Sequence, residues 1–522
     1  MMGLPTPGTG LRLAELMAAM SIATDLGMGQ PPETALSTCI VAVRLGEALN
    51  LGTDALRDIY YLALLRHIGC NAETHLMAAL FGDELALRRD FSSVDPGQPA
   101  EVMEVAARHI REAVAAEPPL VVDELVAVAL RGLPDLIKET FAGHCEVAKL
   151  LAGRLGLPGT LTVLLGQLFE RWDGRGLPRG LIGEEIAPAV MLVTLSHDAV
   201  VWNRLGGSRA AAATLRKRGG QAFPPGMVER FCTDAAGFLS GLDEEPTWEW
   251  VLALEPGTQD RLSLDDFERA CTALADFADL KSPYTVGHSA GVARLAAAAG
   301  RRAGLIDADV ALLWQAGLLH DIGRSGVSAG IWGKPGPLSD REREQVRLHP
   351  YFTERVLARS ETLGRIGALA SQHHERLDGS GYHRSVAGNA LSVMARILAA
   401  ADAYQAMTEP RPHRPALAAD QAADELRREV RAGRLDGDAV HVILAEAGHR
   451  VAPTRRERPA GLSRREVEVL RLVARGLTTQ DIAVQLFLSA DTVKHHIRHI
   501  YNKTGLNTRA GATLFAMEHF LL

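Results

Sequence analysis

At 522 residues the chain is too long for one hydrophobic core and allows about three domains. Its formal charge of −7 argues against a protein coated along its length by nucleic acid. The segment from Arg455 onward nonetheless holds 11 Lys and Arg against 6 Asp and Glu, so only that end suits a polyanion.

No run of about 18 uninterrupted apolar residues occurs, and the short apolar run at 11–23 contains Arg12 and Glu15 without a basic leader, so neither a membrane span nor secretion is expected. Five cysteines without CxxC spacing fit a reducing, cytoplasmic setting. Nearly half the residues are apolar, Ala and Leu abound, and Val/Ile-rich alternation is scarce, so the expected fold class is all-α.

In chain order, residues 11–240 read as helices separated by punctuation such as GMGQPP at 27–32, VDPGQP at 94–99 and FPPG at 223–226. Residues 241–262 break the helical period with Pro, Gly and acidic clusters and read as a linker. Ser263 then caps a helix over LSLDDFERACTALADFADL that leads into KSPYTVGHS.

The densest chemistry lies between Leu318 and Asp402, where LLHDIGR, RLHPY, SQHHERLDGSGYH and ILAAADAY gather histidines and aspartates in otherwise apolar helical sequence. Neighbours on a helix point about 100° apart, so a pair such as His320–Asp321 or His373–His374 serves two adjacent ions better than one. A carboxylate can bridge metals roughly 3.5–4 Å apart, and the water they share becomes a nucleophile near neutral pH, chemistry suited to phosphate esters. A nitrogen and oxygen donor set without thiolate favours iron or manganese, with zinc or nickel as alternatives.

The ordered set His288, HDIG at 320–323, His349, HHERLDGSGYH at 373–383 and Asp402 resembles the HD-GYP phosphohydrolases, which hydrolyse cyclic di-GMP; the resemblance covers about 263–448. It implies that His288, His320, Asp321 and Asp402 hold one metal and Asp321, His349, His373 and His374 a second, with Asp321 bridging. It also makes Arg324, Arg411 and Arg414 contacts for substrate phosphate.

There are departures from the family pattern. Tyr284 stands where some members carry a carboxylate for a third metal, so two metals are expected. Arg324 replaces the usual lysine, keeping a phosphate clamp but losing proton delivery. The GYP signature reads Gly381, Tyr382, His383.

An internal repeat runs back from this segment. FERWDGRGLPRGLIGEEI at 169–186 reads like ERLDGSGYHRSVAGNAL at 375–391, and the shift of 205 that carries Asp173 onto Asp378 also carries His144 onto His349. LLRHIGC at 64–70 matches LLHDIGR. In the first copy Leu36, Arg66, His67, Leu168, Phe169 and His197 stand where the second has His288, His320, Asp321, His373, His374 and Asp402, and of the ligands only His144 remains. The first copy therefore reads as a metal-free HD-type domain serving as interface, sensor or scaffold.

After a Pro/Arg-rich linker, Ser463 with Glu466 forms a capping-box pattern and Gly476 ends the helix. Thr478 or Thr479 opens a short second helix, and Ser489 caps a third running to about Lys503. GLTTQDIA, LSADTVKHHI and YNKTGLNTRA closely resemble the LuxR-type DNA-binding domain. That resemblance implies a four-helix module with Lys494, His495 and Arg498 on major-groove bases, Thr479, Lys503 and Arg509 on phosphates, and Val493, Ile497 and Ile500 in its core. Because such modules usually read two half-sites, a homodimer is expected on double-stranded DNA.

The expected organisation is thus a degenerate HD-type domain over 1–240, a linker over 241–262, an HD-GYP-like domain over 263–450, a linker over 451–460 and a helix-turn-helix domain over 461–522. The expected function is metal-dependent hydrolysis of cyclic di-GMP joined to DNA binding. The alternative is a nucleotide-gated transcription factor with little turnover.

Overall fold

Helix is the only regular structure of three residues or more among those described, in keeping with the all-α expectation. The computed structural model describes residues 10–115, 117–242, 247–451, 459–519 and 521. The chain divides into two compact units, Met1–Arg450 and Val451–Leu522. No helix among the described residues is long and apolar enough to cross a membrane.

In the first unit, helices Leu13–Gly27 and Thr34–Ala48 are apolar on nearly every face and are correspondingly buried. By contrast, Pro99–Ala113 is amphipathic and buries only Ala106, His109 and Ile110. The long helix Pro188–Arg218 breaks at Gly206 and Gly207, where a φ of +76° at Gly207 demands glycine.

The repeat is a repeat of structure. A Cβ on Gly69 would lie 1.9 Å from the carbonyl oxygen of His144, and one on Gly323 would lie 2.1 Å from that of His349. Only glycine lets these two turns press against the helix that crosses them. In the later loop, Glu170 accepts from the amides of Arg179 and Leu181, both at 2.9 Å; Glu375, 205 residues on, accepts from Arg384 at 2.8 Å and Val386 at 3.0 Å. Short 3-10 turns follow at Gly183–Glu185 and Gly388–Ala390, again in register.

The stretch 241–262, read above as a linker, is instead packed into the first unit over its described part. Helix Thr247–Ala253 buries Trp248 and Val251, the Tyr60 hydroxyl donates to the Val251 carbonyl at 3.1 Å, and the Tyr61 hydroxyl donates to Glu255 at 2.7 Å. Its acidic and proline residues hid an apolar face that only the neighbouring helices could reveal. The linker expected at 451–460 lies largely outside the described residues.

The two halves of the first unit meet on a buried ion pair. Glu84, at the start of helix Glu84–Phe91, accepts from Lys281 Nζ at 2.8 Å, Ser328 Oγ at 2.7 Å and the Ala329 amide at 2.8 Å. Both charged side chains are almost wholly buried. Burial alone would raise the Glu84 carboxyl, but Lys281, the Ala329 N–H and Arg88 hold it below its ordinary value.

In the second unit, helices Arg464–Ala474, Thr479–Leu486, Ala490–Thr504 and Arg509–Glu518 enclose Val469, Leu470, Ile482, Val493 and Ile500, with Ile497 packed against them. The caps are those anticipated: Ser463 with Glu466 in a capping box, Thr478 on Asp481, and Ser489 on Thr492. Gly476, at φ +84°, follows the first helix.

Removing one member of a buried pair strands the other charge, at a cost of about 3–5 kcal/mol. Lys281→Met should therefore lower the melting temperature of the protein, and adding Glu84→Gln, which removes the charge while its carbonyl oxygen still accepts from the Ala329 amide and its NH2 can donate to Ser328 Oγ, should recover most of the loss. A double variant melting no higher than the single one would contradict this.

Candidate metal centre and nucleic-acid interface

The seven expected ligands converge on one spot, delivered by different elements. His288 opens helix His288–Ala303, His320 and Asp321 follow Asp307–Leu319, His349 opens His349–Leu357, His373 and His374 follow Glu361–Ala370, and Asp402 lies inside Val393–Thr408. All are buried except His374, whose side chain is partly open to solvent.

Asp321 stands between two groups of histidines. Its Oδ1 faces His349 Nε2 at 3.4 Å and His373 Nε2 at 3.6 Å; its Oδ2 faces His320 Nε2 at 3.3 Å and His288 Nε2 at 3.8 Å. Asp402 Oδ1 lies 3.2 Å from His288 Nε2, and Oδ2 lies 3.8 Å from His374 Nδ1. Two clusters have ligand atoms close enough for an ion each: His288, His320 and Asp321, and His349, His373 and His374.

The tautomers are set by the backbone. His320, His349 and His373 place Nδ1 on the carbonyls of Gly317, Val346 and Ala370, at 2.7, 2.5 and 2.7 Å. Each Nδ1 therefore donates, and each Nε2 presents a lone pair to the centre. As a result His349 and His373 aim two acceptors at each other 3.0 Å apart, and His320 Nε2 is buried without a hydrogen-bond partner. Facing lone pairs need a cation between them, so the residues fit divalent metal.

The charges agree. Burial would raise Asp321, but Arg324, His320 and His349 hold it well below the carboxylate range. Burial keeps His349 near 4 and His373 near 3, neutral and ready to coordinate. His288 and His320 differ: burial would lower both, but bonds to Asp402 and Glu409 raise His288 to about 9, and the charge of Asp321 lifts His320 above its ordinary value.

Glu409 was missed in the sequence. Its Oε2 bonds His288 Nδ1 at 2.8 Å and accepts from Arg411 Nη2 at 3.0 Å, so it orients the ring. Lying seven residues beyond Asp402 in the TEPRPHRP stretch, it was overshadowed by the arginines. Trp332, whose ring lies 4.0 Å from the Arg324 guanidinium, also went unnoticed, whereas Tyr382 of the GYP-like signature lies 4.8 Å from the His374 ring.

The three expected phosphate contacts separate. Arg324 Nη1 sits 2.7 Å from Asp321 Oδ2, in the centre itself. Arg411 lies nearby and feels the charges of Arg324, Asp402 and Asp321. Arg414 does not join them: its Nη1 and Nη2 donate to the carbonyls of Ala406, Met407, Glu409 and Pro415, so it braces its own loop. His383 is likewise turned to Glu354, at 3.1 Å.

In the second unit, Lys494, His495 and Arg498 are exposed along helix Ala490–Thr504. Thr479 opens the preceding helix. Two of the expected phosphate contacts are engaged internally instead. Lys503 Nζ bonds the buried Glu466 carboxylate at 2.7 Å and the Gly461 carbonyl at 3.1 Å, and Arg509 donates to the Leu477 carbonyl. Their positions at helix ends suit carbonyls and a capping carboxylate as well as they suit phosphate, which spacing alone could not distinguish.

Comparison with known proteins agrees with this picture. The HD domain family matches residues 272–439, and the luxR family of bacterial regulatory proteins matches 460–516. The chain is 32% identical over 415 residues to 3′3′-cGAMP-specific phosphodiesterase 3 of Vibrio cholerae serotype O1, covering 78% of this chain and 89% of the relative. It is 38% identical over 146 residues to a cyclic di-GMP phosphodiesterase of Pseudomonas aeruginosa, covering 28% of this chain and 34% of that one. A crystal structure of a cyclic GMP-AMP-specific phosphodiesterase of V. cholerae superposes with a TM-score of 0.58 at 27% identity, covering 84% of this chain and 98% of that one. A match of 415 residues runs well beyond the catalytic half, so the relative shares the N-terminal copy too. The chain belongs to the HD-GYP phosphohydrolase family, with a luxR-family helix-turn-helix domain joined behind it.

Proposed function

We propose that this protein hydrolyses a 3′,3′-cyclic dinucleotide at a two-metal centre and reads double-stranded DNA, as a dimer, with its C-terminal unit. The observation that carries the first part is the position of Asp321, each of whose oxygens faces a different histidine group. One metal falls to His288, His320, Asp321 and Asp402, the other to Asp321, His349, His373 and His374. The donors favour iron or manganese, with zinc or nickel as alternatives. Bound there, such ions supply an acidified water and charge neutralisation for a phosphoryl oxygen.

The protein's own residues do the rest. Glu409 and three backbone carbonyls hold the imidazoles in their coordinating tautomers. Arg411, with Arg324, gives fixed positive charge beside the centre for a phosphodiester, and a guanidinium keeps its proton throughout, so it orients and neutralises without acting as an acid. Both cyclic di-GMP and 3′3′-cGAMP are substrates named for relatives of this chain; the second belongs to the relative that also matches the N-terminal half. A slower, sensing role is favoured by one contact: Arg324 holds the bridging carboxylate in an ion pair and keeps its proton throughout.

Asp321→Ala should abolish hydrolysis of both dinucleotides and lower the metal content, while far-UV circular dichroism stays unchanged. Turnover by that variant at undiminished metal content would sink the two-metal assignment.

On DNA, Arg498→Ala should weaken binding to the specific duplex by about 1–3 kcal/mol and relax sequence preference. Because Lys503 is tied to Glu466, Lys503→Ala should lower the thermal stability of the C-terminal unit and leave the salt dependence of binding nearly unchanged. A salt slope flattened by about one phosphate contact in Lys503→Ala would restore the phosphate role.

A further inference from the structure

The lost metal site of the N-terminal copy encloses a cavity of about 330 Å³. Its lining includes Arg66, His67, His144, Leu168, Phe169 and His197, which replace or match His320, Asp321, His349, His373, His374 and Asp402 of the catalytic copy. The rest of the wall is mostly apolar, closed by helix Pro119–Arg154 through Leu133, Ile137 and Phe141, whose ring lies 4.5 Å from that of Phe169. A void of this size reaches the range of small-molecule pockets, roughly 300 Å³ and above.

The polar groups on this wall differ in their partners. Arg171 pairs with Asp95 and Asp173, Arg218 pairs with Asp198, and Arg88 donates to the carbonyls of Gly27 and Cys70. Arg66 has only the Thr194 hydroxyl as a hydrogen-bond partner, at 3.0 Å; Asp198 draws on it from a distance but is paired with Arg218, no other carboxylate among the described residues pairs with Arg66, and its Nε is buried without a partner. His144, deeply buried, bonds the Ala72 carbonyl through Nε2 at 3.3 Å, and its Nδ1 has no partner. A fixed cation in an apolar chamber calls for an anion brought by an apolar body.

We propose that this cavity binds a small carboxylate with an apolar chain, its carboxylate on Arg66 and its chain among Phe81, Phe141, Phe169 and Leu133. The loss of the metal ligands is then what made the chamber: Leu168 and Phe169 replaced two imidazoles with apolar wall, and Arg66 supplied in one side chain the positive charge that an ion had given.

Decanoate, of about a dozen non-hydrogen atoms, is a probe of suitable size for the lower end of that pocket range. Isothermal titration calorimetry of the full chain should give one saturable site per chain. Affinity should fall about tenfold or more in Arg66→Gln, and about tenfold or more when decanol replaces decanoate on the unaltered protein, since a charged hydrogen bond is lost in each case. Should Arg66→Gln fail to fold, the decanol comparison decides alone. Absence of saturable binding, equal affinity for decanol, or undiminished affinity in a folded Arg66→Gln protein would each overturn the assignment.

Discussion

The catalytic half of this protein depends on a carboxylate that it does not itself contribute. Glu84, from the N-terminal copy, holds Lys281, Ser328 and the Ala329 amide, and Lys281 in turn donates to the Ser325 carbonyl at 3.3 Å. Ser325, Ser328 and Ala329 sit immediately after the HDIGR segment that carries His320, Asp321 and Arg324. Asn71 and Thr74 add bonds to the carbonyls of Phe277 and Lys281, at 2.8 and 3.0 Å. Losing either partner would strand the other charge in the interior, and the two copies form one compact unit. This gives a physical reason for a copy without metal ligands to persist: it is the wall against which the catalytic loop is set. Helix Glu84–Phe91 also lends Leu87, Arg88 and Phe91 to the N-terminal cavity, so one short helix lines that cavity and braces the segment after HDIGR.

The candidate metal centre is specified less by its candidate ligands than by what holds them. Three histidines use the carbonyl three residues earlier as their orienting partner, a geometry available only where a helix is ending or beginning and its carbonyls are not all taken by its own amides. His288 lacks such a carbonyl and uses Glu409 instead, which explains the need for a carboxylate just beyond Asp402; its raised pKa comes from Asp402 together with Glu409. Arg324 is the point of tension, since its guanidinium competes with cations for the same oxygen of Asp321.

The C-terminal unit divides its basic side chains by a similar rule. Those in the middle of helix Ala490–Thr504 have no helix end to serve and stay exposed, whereas Lys503, in the last turn, reaches a buried capping carboxylate on another helix.

The sequence by itself determined the all-α class, the repeat with its register of 205, the histidines and aspartates that converge on one centre, and the caps of the C-terminal helices. Each of these rests on local rules: helical period, glycine and serine at helix ends, and residue types that coordinate metal. It did not determine that 241–262 packs through Trp248, that Glu409 orients His288, that Arg414 and Lys503 are bound internally, or that the matching positions of the N-terminal copy line a cavity. These depend on which side chains meet across elements distant in the chain, and a guanidinium, an ammonium or a carboxylate takes whichever partner burial brings within reach. Tertiary packing alone decided those partners, because the same charged side chain is equally suited to a phosphate, a carbonyl or a buried carboxylate until its surroundings are fixed.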